Sequence, residues 1–600
     1  MRNVRPTRQN WAVYLVLTQR GDEVVVTSVP ESGNTSGPAS TTGPHPARVI
    51  RLHDLPGYVS EREQAAAEPS RWVWDSTARW YPRLLAAGVR VERCIDLALS
   101  RTILRASALT AHSDYARAPD DPAWNTLLAD VAQSPVAPTP VHLTQALFEF
   151  DPVPAAPGAA SERDPVRELR AQQQSVASSP DANRIRLLLA AESAGALVAA
   201  ELKFAGLPWR TDVHDRLLTD LLGERAPHGS RPAKMEALAA RVRDGLGAPA
   251  LNPDSQGELL KALQRAGLQV TSTRAWELRE LEHPAIAPLL EYKKLSRLLA
   301  ANGWTWMEQW IADGRFHADY VPGGVVTGRW ATNGGGAMQL PKQIRGAVVA
   351  DPGWKLVVAD AAQLEPRVLA GLAGDLAMAE AGRGRDLYDG IVSSGAVDTR
   401  PHAKVAMLGA MYGATTGDSA RLVPRLARAY PRAIALVERA AREGERGEIV
   451  TSRLGRSSPR PGAAWRQSQA KAAEPDATAA EERAARSRAR DWGRFTRNFV
   501  VQASAAEWAL CWMADLRRRL AAIEVDGAAA GRAAVPFDRS PHLAFFLHDE
   551  VIVHSPAAVA AAVADEVRAA ACAAGKLLFG DFPVQFPLSV AIVDSYAEAK

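Results

Sequence analysis

Cysteine is scarce in this chain, with three in 600 residues. Cys94, Cys511 and Cys572 stand far apart, with no Cys-x-x-Cys pair and no Cys/His spacing, which excludes a disulfide framework and an ordinary zinc site. Three buried thiols are the expectation. Long apolar runs are also missing. No hydrophobic stretch approaches the ~20 residues that cross a bilayer, and MRNVRPTRQNWAVYLVL lacks the apolar block and small-residue cleavage site of a leader. A cytoplasmic protein with no membrane partner is expected. Strong charge imbalance is absent as well: a net +4 over 600 residues means that any nucleic-acid surface must be local.

What the chain does have is length and apolar content. Six hundred residues at 47% hydrophobic exceed what one core serves, so several domains are expected. Residues 1–150 mix strand-like WAVYLVL and EVVVTSV with helical YPRLLAAGV and IDLALSRTILRAS, an α/β texture. Residues 151–180, rich in Pro, Ala and Ser, read as a linker or long loop. From Asp181 to about Gly303 apolar residues recur at helical spacing, as in RIRLLLAAESAGALVAAELKFAGL. Strand and turn follow from Phe316 to Asp360, ending in WKLVVAD; then AQLEPRVLAGLAGD reads as a helix. Residues 376–500 are mostly helical, with a polar insertion near 461–485 expected to be a mobile loop or helix tip. LAFFLHDEVIVH reads as two short strands with His548 and Asp549 at their turn, before an alanine-rich helix and a last strand, PLSVAIV.

Asp360 ends an apolar strand and Asp549 tips an apolar hairpin. Carboxylates that interrupt hydrophobic strands need a positive partner, because an isolated buried charge is costly. Oxygen-ligated Mg²⁺, bridging both, would suit phosphoryl transfer by two metals. Either aspartate alone reads equally well as a strand-end turn residue. In RPHAKVAMLGAMYG, Arg400, Lys404, Leu408 and Tyr412 lie four residues apart, and Pro401 suits the first turn of a helix starting at Arg400. Free amides, an arginine and a lysine would cradle a triphosphate, Leu408 and Tyr412 would offer a base an apolar surface, and Gly409 and Gly413 allow close approach. In isolation this is also the pattern of an ordinary amphipathic helix. Arg483, Arg486, Arg490, Arg494 and Arg497 recur at helical spacing, with Arg494, Asn498 and Gln502 one turn apart. Arginines suit phosphates, whereas Asn and Gln can donate to minor-groove acceptors shared by all base pairs. Arg483 and Arg486, beside the polar insertion, read as a solvated face.

VVADAAQLEPRVLA, RPHAKVAMLGAMYG and FFLHDEVIVH resemble, in order and spacing, the three polymerase motifs of family A, the DNA polymerase I type. TGRWATNGGGAMQLPKQIRGAV is similar to the stretch before the first motif, and RNFVVQASAAEWA to the helix before the last, so the resemblance covers about residues 185–600. It implies an α+β multidomain chain shaped as a right hand, with a helical thumb at 181–315, fingers at about 363–495, and a palm at 316–362 and 496–600. It implies DNA-templated DNA synthesis on a primer 3′-hydroxyl, from deoxynucleoside triphosphates, by a monomer at the nucleoid. The implied metal ligands are Asp360 and Asp549, for two Mg²⁺ ions that Mn²⁺ can replace, with Glu550 in support. Arg400, Lys404, Leu408, Tyr412, Gln363 and His548 would surround the nucleotide, Lys404 acting as general acid and Glu365 as the gate against a 2′-hydroxyl. Arg329, Gln339, Arg494, Asn498 and Gln502 would touch DNA. The chain departs from the family pattern at Ala361, Ala362, Pro366 and Leu408, which alters the wall around sugar and base.

Residues 1–180 resemble, more distantly, an α/β ribonuclease-H-like 3′–5′ exonuclease domain, as in the short bifunctional exonuclease/polymerase proteins of high-GC bacteria. Asp75, Asp96 and Asp181 fall near expected acidic positions, but the first strand lacks an Asp-x-Glu pair and Ala177 stands where a tyrosine is expected. Too few oxygen ligands remain for two metals, so a degenerate domain without efficient proofreading is the expectation. A bifunctional nuclease and a non-catalytic DNA-binding scaffold are the alternatives.

Overall fold

The computed structural model describes residues 13–30, 47–65, 70–124, 163–227, 230–414, 417–525 and 530–599. At the N-terminus, strands Val13–Arg20, Glu23–Pro30 and Arg48–Arg51 form an antiparallel meander, and Arg71–Trp74 and Arg93–Asp96 extend it in parallel from the first strand's other side. The β-branched run EVVVTSV and the tryptophans of RWVW favour the pleated surface. Trp72, Trp74, Trp80 and Tyr81 are among its fully buried side chains.

Of the stretch 151–180, read above as linker, residues 151–162 lie outside the described residues, but Pro165–Ala177 is a helix. Asp164 accepts from the N–H groups of Val166 and Arg167, and Pro165 sits at the first turn, where its missing N–H costs nothing. Leu169 and Val176 face the core. Composition suggested a loop; an N-cap followed by proline is a helix start.

Helix Ala182–Ala205 is buried on most of its circumference and is followed by helices Thr211–Leu222, Ala233–Gly245, Gln256–Arg265 and Ile286–Asn302. Beyond them lies a four-stranded antiparallel sheet in the order His542–Leu547, Glu550–Pro556, Trp354–Ala361, Leu588–Val593. Helix Ala560–Phe579 and the 43-residue helix Ala479–Ala521 pack with it in one core. A second core joins helices Leu364–Ala373, Leu387–Ser393, Arg400–Tyr412, Gly417–Ala429 and Pro431–Glu445 to Trp492, Phe495 and Phe499 of the long helix. The polar insertion is a helical hairpin: Ala463–Ala472 lies against the start of the long helix, whose first turn is closed by a Thr478/Glu481 capping box.

The N-terminal sheet is tied to the rest through a buried ion cluster. Glu201 accepts from Arg517 at 2.7 Å, Arg90 at 3.1 Å and the Tyr81 hydroxyl at 2.5 Å. Despite burial, the two guanidinium groups hold its carboxyl down at about 2. Cys94 and Cys511 are buried as expected, but Cys572 is exposed, because the alanine-rich helix buries only the stripe through Ala570, Ala571 and Ala574. Among the described residues no helix is long and apolar enough to cross a membrane.

Candidate active site

Strand Trp354–Ala361 runs between Glu550–Pro556 and Leu588–Val593, and the register places Asp360 opposite Glu550. The turn before Glu550 holds His548 in the left-handed region, at φ 60°, and the Asp549 carbonyl accepts from Ala361 N–H at 2.9 Å. Asp360 and Asp549 thus come to the same end of the sheet, both half-buried. Glu550 is buried beneath them, facing Tyr596, whose hydroxyl burial and the Glu550 charge push upward. Among the described residues no group of three or more His, Cys, Asp or Glu could hold a metal by itself. The donor set is two aspartates brought to one sheet end, and their carboxylates suit a hard cation that takes its remaining oxygens from water and substrate phosphates.

After Ala361 the chain turns sharply. Gln363 is left-handed at φ 51°, and helix Leu364–Ala373 begins at once, putting Glu365 in its first turn. Glu365 is held by Arg329 and by the Tyr412 hydroxyl, which donates to it at 3.2 Å; Gln502 donates to that hydroxyl at 3.1 Å. Burial, then the Glu365 charge, pushes the Tyr412 phenol up, so it remains a donor. The same pocket holds His548, whose imidazole burial and Arg329 push down, with Glu365 opposing. His548 is therefore neutral near pH 7.

Helix Arg400–Tyr412 starts as the sequence suggests, with Thr399 accepting from His402 N–H and Pro401 in the first turn. Lys404 is exposed and has no ion-pair partner among the described residues. Leu408 and Tyr412 are 36% and 42% exposed, so an apolar strip does face outward from this helix. Its glycines serve packing: a Cβ on Gly409 would meet Ser419 at 2.7 Å, and one on Gly413, at φ 73°, would meet Arg494 at 2.9 Å. Arg494 pairs with Asp491, and Arg497 is structural, donating to the Ala410 carbonyl and Glu438. Gln339 lies on an exposed 3-10 turn, where it accepts from Arg297 at 3.3 Å.

Gln363 and Arg400 are both engaged by a residue the sequence reading overlooked. Asp386 accepts from Gln363 Nε2 at 3.0 Å and Arg400 Nη2 at 2.8 Å. Arg367, also overlooked, is buried and donates to the carbonyls of Ala362, Gly382, Arg385 and Gln585, binding the post-strand turn to the loop before Asp386. Burial lowers it to about 10, which leaves it charged at neutral pH. Asp-Leu-Tyr was readable as a helix N-cap, but nothing local linked it to Arg400.

The N-terminal acids are occupied. Asp75, 3% exposed, accepts from Trp80 Nε1 at 2.7 Å, Arg79 at 2.5 Å and Arg163 at 3.3 Å. Asp96 caps helix Leu97–Ala106 and accepts from Thr77 N–H at 2.7 Å, burial raising its carboxyl. Asp181 caps helix Ala182–Ala205.

The class of the fold comes from its overall architecture, a four-stranded antiparallel sheet with Asp360 and Asp549 at one end, packed among long helices. The chain superposes on a solved structure described as the POL domain of Pol1 from M. smegmatis in complex with DNA primer-template and dNTP, with a TM-score of 0.64 at 16% identity, covering 98% of this chain and 96% of that one. The family model for DNA polymerase family A matches residues 231–598, and the chain belongs to that family. It is 32% identical over 184 residues to DNA polymerase I of Chloroflexus aurantiacus, covering 27% of this chain and 19% of that protein. It is 26% identical over 440 residues to the thermostable DNA polymerase I of Thermus thermophilus, covering 68% and 46%. The chain thus spans less than half the length of these curated relatives.

Proposed function

We propose that this chain catalyses DNA-templated DNA synthesis, adding deoxynucleotides to a primer 3′-hydroxyl. The observation that carries the reading is the meeting of Asp360 and Asp549 at one sheet end, beside the Glu365–Tyr412–Gln502 chain and the cationic helix from Arg400. In this reading residues 316–362 and 496–600 are the palm, about 363–495 the fingers, and 181–315 the thumb, working as a monomer in the cytoplasm at the nucleoid.

Asp360 and Asp549 would hold divalent metal, Mg²⁺ with Mn²⁺ as substitute, and the bound ions would activate the primer hydroxyl and neutralise charge on pyrophosphate. The chain's own residues do the rest. Arg400 and the helix amides bind the triphosphate, and exposed Lys404 supplies a proton to the leaving group. Glu365, fixed by Arg329 and Tyr412, occupies the space a 2′-hydroxyl would need. Neutral His548 sits beside the primer end. Arg494 meets phosphate, while Asn498, Gln502, Arg329 and Gln339 face the duplex.

The N-terminal sheet, with three antiparallel strands and two parallel ones, supports a ribonuclease-H-like exonuclease-type domain over residues 1–180. Arginines on Asp75 favour a non-catalytic version of it. The deciding experiment is primer extension by the purified chain with Mg²⁺ and all four deoxynucleotides. No extension, or extension unaffected by Asp360→Ala, would sink the reading.

A further inference from the structure

Asp386 lies outside every motif that carried the polymerase reading, yet it touches both walls of the proposed nucleotide pocket. Its Oδ1 accepts from the N–H groups of Tyr388 at 2.9 Å and Asp389 at 3.1 Å, capping helix Leu387–Ser393. Its Oδ2 accepts from Gln363 Nε2 at 3.0 Å and Arg400 Nη2 at 2.8 Å. Four donors leave this carboxylate no freedom to swing. Gln363 is equally bound, its Oε1 accepting from Leu387 N–H and Arg367 Nη2, both at 3.2 Å. One fixed acid thus joins the turn after Asp360 to the N-terminus of the helix bearing Arg400 and Lys404.

The Arg400 guanidinium is clamped on one side only. Its carbon lies 5.5 Å from the Tyr388 ring centroid, and its Nε is 3.8 Å from Asp389, so Asp386, Asp389 and Tyr388 together define its orientation. Nη1 has no hydrogen-bond partner within the described residues. A half-exposed arginine otherwise samples many rotamers, and ordering it on binding weakens affinity.

We propose that Asp386 is a positioning residue for the nucleotide: it holds Arg400, through Oδ2, in the orientation that receives the triphosphate of an incoming deoxynucleoside triphosphate. The proposal rests on the polymerase reading for the identity of the ligand. Asp386 does not compete with the phosphates, because its charge is already met by four donors and Nη1 remains available.

The test is a double-mutant cycle on nucleotide binding, read as the Kd of dATP with Mg²⁺ by intrinsic tryptophan fluorescence, with primer extension followed in parallel. Asparagine keeps the helix cap, so Asp386→Asn should retain the parent's thermal midpoint. It should weaken dATP binding about threefold to fivefold, the scale of one orienting ion pair, and raise KM more than it lowers kcat. In an Arg400→Ala background the same substitution should change nothing. Unchanged or tighter binding in Asp386→Asn, or an equal loss in both backgrounds, overturns the proposal. Coupled binding without primer extension would sink the polymerase reading and uphold the positioning role; extension indifferent to Asp386 would do the reverse. A parent that neither binds nor extends overturns both.

Discussion

The backbone N–H of Ala361 donates to the carbonyl oxygen of Asp549 at 2.9 Å, and that bond sets Asp360 beside Asp549 although the two lie far apart in sequence. In the proposed function the two carboxylates hold divalent metal at the reacting phosphate. Asp360→Ala and Asp549→Ala should each lower primer extension at least about a thousandfold, since several kcal/mol of charge stabilisation is lost. Affinity for primer-template should stay within a few-fold, because arginines and lysines elsewhere meet the phosphates. Near-parental extension by either variant would refute the assignment; gel-shift titration checks the second half.

Lys404 projects from the Arg400–Tyr412 helix without an ion-pair partner among the described residues. Lys404→Ala should lower kcat/KM for deoxynucleotides by about 10- to 100-fold, what a charged hydrogen bond of about 1.5–3 kcal/mol is worth. Steady-state extension kinetics decide it. Unchanged constants would mark the helix as an ordinary solvated one.

Glu365 is held by Arg329 and Tyr412, so the proposed gate cannot rotate away from an approaching sugar. Glu365→Ala should raise the ratio of ribonucleotide to deoxynucleotide incorporation, measured by competing the two triphosphates on one template. A ratio that stays put would place the gate elsewhere, with Pro366 of the same helix turn the next residue to substitute.

Asp75 is committed to Arg79, Arg163 and Trp80. The chain should not trim a mismatched, end-labelled primer in Mg²⁺ or Mn²⁺ when nucleotides are withheld. Asp75→Ala should instead lower the thermal midpoint, because it strips buried donors of their acceptor. Metal-dependent trimming that vanishes in Asp75→Ala would restore a bifunctional enzyme.

Glu507, on the long helix, is fully buried against Ser452 and the Leu454 N–H. Burial pushes its carboxyl from 4.5 up to about 7. The folded chain therefore keeps a proton that the unfolded chain releases, so this group's contribution is complete below pH 4.5 and is lost as pH rises through about 7. Glu507→Gln, which cannot ionise, should gain on the parent between pH 5 and 7, by at most about 1.4 kcal/mol per pH unit, and by a constant amount above. Urea unfolding midpoints at pH 5, 6, 7 and 8 would show it; a pH-independent difference would mean that Glu507 stays ionised.

Strands and helices with a clear period were legible in the chain itself. WKLVVAD, LAFFL and EVIVH alternate or run apolar between turn residues, and Thr399-Arg-Pro announces its helix, because caps and periodicity act over a few residues. The candidate acids, the cationic helix and the arginine-amide row were visible as patterns, but each alone read as well as ordinary structure, and only the resemblance to the family A motifs singled them out. What lay 14 residues or more away in sequence was not visible: Asp386 reaching Arg400, Arg367 gathering the carbonyls of Gly382, Arg385 and Gln585, and Arg163 reaching Asp75. Each depends on how separate elements pack together, and hydrogen-bond partners at about 3 Å are chosen by that packing and not by local propensity. The exposed thiol of Cys572 belongs to the same class, since composition sets what a segment can do while its neighbours decide which face is covered, whereas the helix at Pro165–Ala177 was announced locally by Asp164 and Pro165.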